Sequence, residues 1–147
     1  MIAAHRPSPA AAVLTGAGAL LTIVALTRVT WGTDWYGDGF SFLDVRGELV
    51  EEFSDGDTNS KIQAAYASWG FGLLIALVVG SCAALWTRVR SVSAAIVIVL
   101  LAVIGWHQAL ISGLVGLHGA ARLPMLGAAI CCIGLVVQIV QTSRRSA

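Results

Sequence analysis

His107 lies inside a long uncharged segment, in Gly105-Trp-His-Gln108, and its side chain can take part in several kinds of chemistry. An imidazole can relay protons, bind a metal or ligate haem. An ionisable side chain inside an apolar span is a functional candidate by default. We therefore predict that His107, Gln108 and Gln138 are candidates for ligand contact or proton relay. The structural alternative is interhelical hydrogen bonding by neutral side chains, worth under about 2 kcal/mol per bond.

A second group of chemical interest is the set of oxygen donors in Asp55-Gly-Asp57-Thr-Asn59-Ser60. Its first residues have the spacing at which a calcium-binding EF-hand loop begins, which makes Asp55, Asp57 and Asn59 metal candidates. That loop also needs Gly at its sixth position and Glu at its twelfth, where this chain has Ser60 and Tyr66. The sequence therefore favours an Asp-Gly turn, followed by a capping box in Ser60-Lys-Ile-Gln63 that begins the next helix.

The remaining chemistry-bearing residues form no complete catalytic set. Cys82, Cys131 and Cys132 all lie in apolar segments and are interpreted as small packing residues. The long apolar segments contain no acidic residue, and the chain has neither a phosphate-binding glycine loop nor a zinc-binding His-Glu-x-x-His motif. We predict no enzymatic activity and no cofactor.

The elements that position these residues are predicted from the spacing of the charges. Hydrophobic residues make up 57% of the 147-residue chain and charged residues 12%, about half the usual share. This composition argues against a soluble enzyme, a disordered chain and a nucleic-acid binder. Four long uncharged intervals lie between basic residues: 21 residues from Arg6 to Arg28, 26 from Lys61 to Arg88, 31 from Arg90 to Arg122 and 21 from Arg122 to Arg144. Each can hold one membrane-spanning helix of about 20 residues. We predict an all-α bundle of four transmembrane helices near residues 9–28, 62–86, 92–115 and 123–142.

The signs of the charges predict how these spans are oriented. All eight acidic residues lie between Asp34 and Asp57, in the connection formed by residues 29–61. The other end of the predicted bundle carries a group of arginines: Arg6, Arg88, Arg90, Arg144 and Arg145. Because basic residues favour the cytoplasmic side, we predict a multi-pass protein of the plasma (inner) membrane. Both termini are then cytoplasmic, and the short acidic loop 29–61 is extracellular. The ratio of eight Arg to one Lys, with abundant Ala, Gly and Val, indicates a bacterial chain.

Within the acidic loop, the pattern indicates one amphipathic element. Side chains alternate in character over residues 40–45, which suggests an extended segment. Asp44, near the end of this segment, is expected to cap a helix over residues 45–54. Leu49, Val50 and Phe53 form the apolar side of this helix, which we expect to dock on the outer ends of the spans. Aromatic residues are interpreted as interfacial anchors, and they comprise Trp31, Trp35, Tyr36, Tyr66, Trp69 and Trp86.

The second span carries small residues at a strict spacing of four, a ridge formed by Ser68, Gly72, Ala76, Gly80 and Ala84. Small residues let helix backbones approach closely in lipid, where apolar association provides little driving force. The ridge therefore predicts a helix-packing interface. Its partner is either another helix of the same bundle, where Gly105, Ala109 and Gly113 offer a matching set, or a helix of another protein.

Two features resemble known proteins. Trp31-Gly-Thr-Asp-Trp35 in the first loop resembles the tryptophan-containing element of claudin-like four-span proteins, although the paired loop cysteines of that pattern are missing. The chain also weakly resembles small uncharacterised four-span membrane proteins of actinobacteria. The resemblance implies an architecture and no activity.

The sequence thus predicts a non-enzymatic integral membrane protein, an accessory or assembly subunit that packs against a larger membrane complex. Its expected partners are the lipid bilayer and another membrane protein or further copies of itself, and no nucleic acid. Two alternatives remain open: a small transporter or ligand-binding bundle that uses His107 and Gln108, and a haem- or quinone-binding electron carrier.

Overall fold

The computed structural model describes residues 6–34, 36–87, 89–114 and 117–144. The predicted roles of Trp35, Arg88 and Arg145, and the predicted span end at Val115, lie outside these residues. The described chain forms five helices in the order α1 (Pro9–Thr27), α2 (Phe42–Ser54), α3 (Thr58–Ala84), α4 (Arg90–Ser112) and α5 (Leu123–Arg144). A hairpin of β1 (Gly32–Thr33) and β2 (Gly39–Phe40) connects α1 to α2, and a 3-10 turn, Gly119–Arg122, precedes α5.

Four of these helices, α1, α3, α4 and α5, are long and apolar enough to cross a membrane. The prediction of four apolar helical spans is confirmed, and the chain has the architecture of a small multi-pass membrane protein. The largest boundary difference is at α3, which begins at Thr58 because Asp57 caps it by accepting the backbone N–H of Ser60 at 2.8 Å. The capping box predicted at Ser60 is therefore wrong, since the helix has already begun there.

The four long helices form a ring in which α1 contacts α3 and α5, and α4 contacts the same two helices from the other side. The first residues of α1 and the last residues of α3 and α5 share one end, because Gln138 is hydrogen-bonded to the backbone of both Ser8 and Leu85. Successive long helices therefore run in opposite directions. We call the end at which residues 28–57 connect α1 to α3 the acidic end, and the other the opposite end.

The most extensive helix pair, α1 with α5, is held by glycines outside the predicted ridge. A β carbon at Gly127 would lie 2.7 Å from the carbonyl oxygen of Gly18 and 2.7 Å from the backbone nitrogen of Thr22. Gly134 faces Thr15 in the same way, with its β carbon position 2.8 Å from the Thr15 nitrogen. Only glycine permits the two backbones to come this close.

At the acidic end, helix α2 packs against the bundle. The helix begins at Phe42 rather than at 45, and Ser41 is its cap: both the Ser41 N–H and its hydroxyl donate to Asp44, at 2.7 and 2.8 Å. Asp44 is therefore not the cap but a residue of the first turn, and the extended segment ends at Phe40. Leu49 is buried, whereas the acidic side chains of α2 are exposed.

Candidate functional site

A buried polar site is centred on His107 of α4. The side chain is completely buried. Its Nδ1 lies 2.7 Å from the hydroxyl oxygen of Tyr66 on α3, and its Nε2 lies 3.0 Å from the carbonyl oxygen of Ala121 in the 3-10 turn. Because a carbonyl only accepts, these partners assign the proton to Nε2 and make Nδ1 the acceptor of the tyrosine hydroxyl. The histidine thereby connects α3, α4 and the 3-10 turn that precedes α5.

Aromatic rings enclose this hydrogen-bonded group. The ring of Trp31 meets the His107 imidazole edge to face at 5.3 Å between centroids, and the ring of Tyr66 meets it at 5.2 Å. Phe42, the first residue of α2, packs on Trp31 with a centroid distance of 5.0 Å. The indole N–H of Trp31 donates to the carbonyl of Ala25 at 2.8 Å. The interpretation of Trp31 and Tyr66 as interfacial anchors is therefore wrong, because both are buried in the packed interior.

A π-helical turn, Tyr66–Gly70, interrupts α3 where it meets this site. Such turns widen a helix by one residue and occur frequently at functional sites. Here the neighbouring carbonyl of Ile62 accepts the indole N–H of Trp106 at 2.8 Å, and Trp106 also packs edge to face on Tyr66 at 5.5 Å. The turn therefore joins α3 to α4 next to His107.

The geometry decides what His107 can do chemically. An axial haem ligand or a metal ligand needs a ring nitrogen that is free to coordinate. Both nitrogens of His107 already have hydrogen-bond partners at 3.0 Å or less. The arrangement suits a structural role, in which a polar group inside an apolar bundle is satisfied by neighbouring helices.

The three polar candidates are not brought into one site. Gln108, the neighbour of His107 on α4, is exposed and lines a groove of about 390 Å³ together with Ser112, His118 and Arg122. Gln138 lies at the opposite end, where its carbonyl oxygen accepts the N–H of Ser8 at 3.2 Å and its amide contacts the Leu85 carbonyl at 3.5 Å.

The ridge residues of α3 lie on a different face from the buried site. Ser68 and Ala76 are exposed, and Gly72 and Gly80 are half-buried. No heavy atom of the described residues outside their own helix turns lies within 4 Å of a β carbon built at either glycine. Only Ala84 turns into the bundle. Close packing within the bundle therefore does not explain Gly72 or Gly80.

The loop donors Asp55, Asp57 and Asn59 are exposed, and among the described residues the structure shows no group of three or more His, Cys, Asp or Glu side chains placed to hold a metal ion. One carboxylate oxygen of Asp57 already accepts the N–H and the hydroxyl of Ser60. These bonds hold the pKa of Asp57 below its ordinary value. The Asp57 carboxylate therefore serves as the N-cap of α3.

The partners of His107 were missed in the sequence because they lie 41 and 14 residues away. The sequence does contain a signal for the first partner. Tyr66, like His107, has a polar atom on a large ring inside an apolar span, and buried tyrosine hydroxyls usually form a hydrogen bond. The cysteines behave as expected of packing residues: Cys131 and Cys132 are buried, and all three thiols are free.

No protein-family model, curated protein or solved structure matches this chain.

Proposed function

We propose that this protein is an accessory or assembly subunit whose α3 ridge, from Ser68 to Gly80, packs against a transmembrane helix of a larger membrane complex. The observation that carries the proposal is the open space at Gly72 and Gly80, where no described atom of the bundle comes within 4 Å of a β carbon position. Glycine costs about 0.5–1 kcal/mol relative to alanine inside a helix. Two such residues at positions that no described atom of the bundle approaches are explained if a helix from outside the bundle packs there.

The bundle's own cohesion supports the same proposal. The pairing of α1 with α5 uses Gly18, Gly127 and Gly134, each with described backbone atoms within 3.0 Å of its β carbon position. Close helix contact inside the molecule is therefore supplied by glycines other than those of the ridge. His107, with both ring nitrogens bonded, provides support against a catalytic or haem-binding role.

Site-specific photocrosslinking in native membranes tests the proposal. A benzophenone amino acid at Ala76, in the middle of the ridge, should give a crosslink to one membrane protein of different sequence. The matched control is the same label at Val13 of α1, an exposed position outside the ridge (68% exposed), which should give lipid adducts only. Equal yields at both positions, or a product that contains only this chain, would contradict the accessory role.

Substitution of the ridge glycines gives an independent measurement. Gly72→Leu and Gly80→Leu should abolish the Ala76 crosslink, because a leucine prevents close backbone approach. Gly16→Leu on α1 is the matched control, since a β carbon at Gly16 also has no described heavy atom within 4 Å. All three variants should keep the thermal stability of the parent protein. A crosslink that survives both ridge substitutions would show that the ridge is not the contact surface.

A further inference from the structure

A separate pocket of about 240 Å³ opens at the acidic end, between α2, the hairpin and the residues on either side of the connection from α4 to α5. Its walls are mainly apolar and include Leu49, Leu114, Leu117 and an edge of Trp31. The pocket volume is smaller than the 300–1,000 Å³ typical of sites for drug-sized ligands, and it suits a short chain of apolar atoms.

Three carboxylates line the same pocket: Asp34 from the hairpin region, and Glu48 and Glu52 from α2. The two glutamates lie one helical turn apart, where like charges repel. Among the described residues, the carboxylate of neither glutamate has a hydrogen-bond or ion-pair partner. The Oδ1 atom of Asp34 already accepts two backbone N–H groups, at 2.9 and 2.8 Å, which leaves its second oxygen to add to the negative potential.

The one cationic side chain of α2, Arg46, contacts an aromatic ring outside the pocket. The guanidinium of Arg46 lies over the ring of Phe71, 4.8 Å from its centroid, and Arg46 is not among the residues that line the pocket. The pocket therefore combines an apolar interior with a negative rim. A ligand that matches both parts has a short apolar stem and a positive end group.

We propose that this pocket binds a small free alkylammonium ion, with the stem against Leu49, Leu114 and Leu117 and the ammonium group between Glu48 and Glu52. The proposal is independent of the α3 ridge, because none of the ridge residues lines the pocket. Its basis is the coincidence of volume, apolar lining and rim charge in one place.

Isothermal titration of the full-length protein in a non-ionic detergent with n-hexylammonium chloride tests the proposal. Protein-free micelles under the same conditions provide the blank for partitioning of the amine into detergent. Binding should saturate at one ion per chain and should weaken as salt is raised, because ion contacts at an exposed rim are screened. Neutral n-hexanol should bind at least roughly fivefold more weakly, since it lacks the charge.

Charge-matched variants of α2 distinguish a site from general attraction to an acidic surface. Glu48→Gln and Glu52→Gln should each weaken binding by about two- to fivefold, the range expected of exposed ion pairs. Glu51→Gln removes the same charge from the same helix, but Glu51 does not line the pocket, so its affinity should equal that of the parent protein. The glutamates are exposed, so each variant should retain the parent circular dichroism spectrum. An equal loss of affinity in all three variants, or titration heat that does not saturate, would overturn the proposal.

Discussion

Replacing Gly127 by alanine tests the tightest part of the bundle. The new β carbon would lie 2.7 Å from the Gly18 carbonyl oxygen and 2.7 Å from the Thr22 nitrogen, both backbone atoms of α1. Backbone atoms cannot rotate away as a side chain can. The two helices must therefore separate by roughly 0.5 Å, and a gap of that size forfeits about a quarter of the dispersion energy of each affected contact.

The expected magnitude follows from comparison with a glycine in open space. Overpacking of a well-packed interior typically costs about 1–3 kcal/mol. Gly127→Ala also gains helix propensity, about 0.5–1 kcal/mol, and Gly16→Ala on α1 gains the same amount without a described neighbour within 4 Å. The difference between the two variants isolates the steric cost. We expect Gly127→Ala to be less stable than Gly16→Ala by about 1–3 kcal/mol.

The assay is equilibrium unfolding in mixed micelles of sodium dodecyl sulfate and a non-ionic detergent, followed by thiol labelling. Cys131 and Cys132 are buried residues of α5, so their reaction with a maleimide dye reports the opening of this helix pair without an introduced probe. Gly127→Ala should become reactive at a lower detergent fraction than Gly16→Ala. Superimposable unfolding curves for the two variants would refute the close approach of α1 and α5 as the source of cohesion.

Two further predictions concern the polar groups at and above the buried site. Tyr66→Phe leaves Nδ1 of His107 without its 2.7 Å partner and should lower the free energy of unfolding by about 1–3 kcal/mol. Tyr36→Phe, at a position 89% exposed, should stay within about 0.5 kcal/mol of the parent; equal effects would contradict the structural role of His107. Asp44 has its pKa held below the ordinary value by its backbone and hydroxyl hydrogen bonds from the helix cap. A lowered folded-state pKa stabilises the helix above the unfolded pKa, and the contribution is lost as pH falls through the folded value. The protection factors of the α2 amides, which correct for the slower intrinsic exchange in acid, should therefore fall below about pH 4, and Asp44→Asn should remove that acid-dependent step.

The extent to which the sequence predicted each helix follows from the kind of signal it carries. The sequence predicts the ends of the spans to within four residues. It does so because the length of an uncharged segment can be compared directly with the thickness of the membrane's apolar core. The beginning of α3 was misplaced because Asp57 and Ser60 both satisfy cap chemistry locally, and the structure uses the earlier one. The same ambiguity between neighbouring polar residues explains the cap of α2: the sequence predicts Asp44, and the structure uses Ser41.

The sequence was least informative about which residues touch. The four-residue spacing on α3 is visible along the chain, but small residues occur both where helices meet and where they face outward. The bundle uses Gly127 against Gly18 and leaves Gly72 and Gly80 open. That choice depends on how each helix is rotated about its axis, and rotation is fixed by packing with every neighbour at once.

By itself, the sequence determined that this chain has four apolar helical spans and one acidic connection, because these features depend only on the order of charged and apolar residues. Only the tertiary structure decided that His107 is bonded on both ring nitrogens, by Tyr66 and Ala121. It also decided that Gly72 and Gly80 of the α3 ridge have no described neighbour at their β carbon positions and that an apolar pocket lies beside Glu48 and Glu52. The physical reason is that hydrogen-bond partners, open faces and cavities are relations between segments distant in the chain, and they are set when the helices pack.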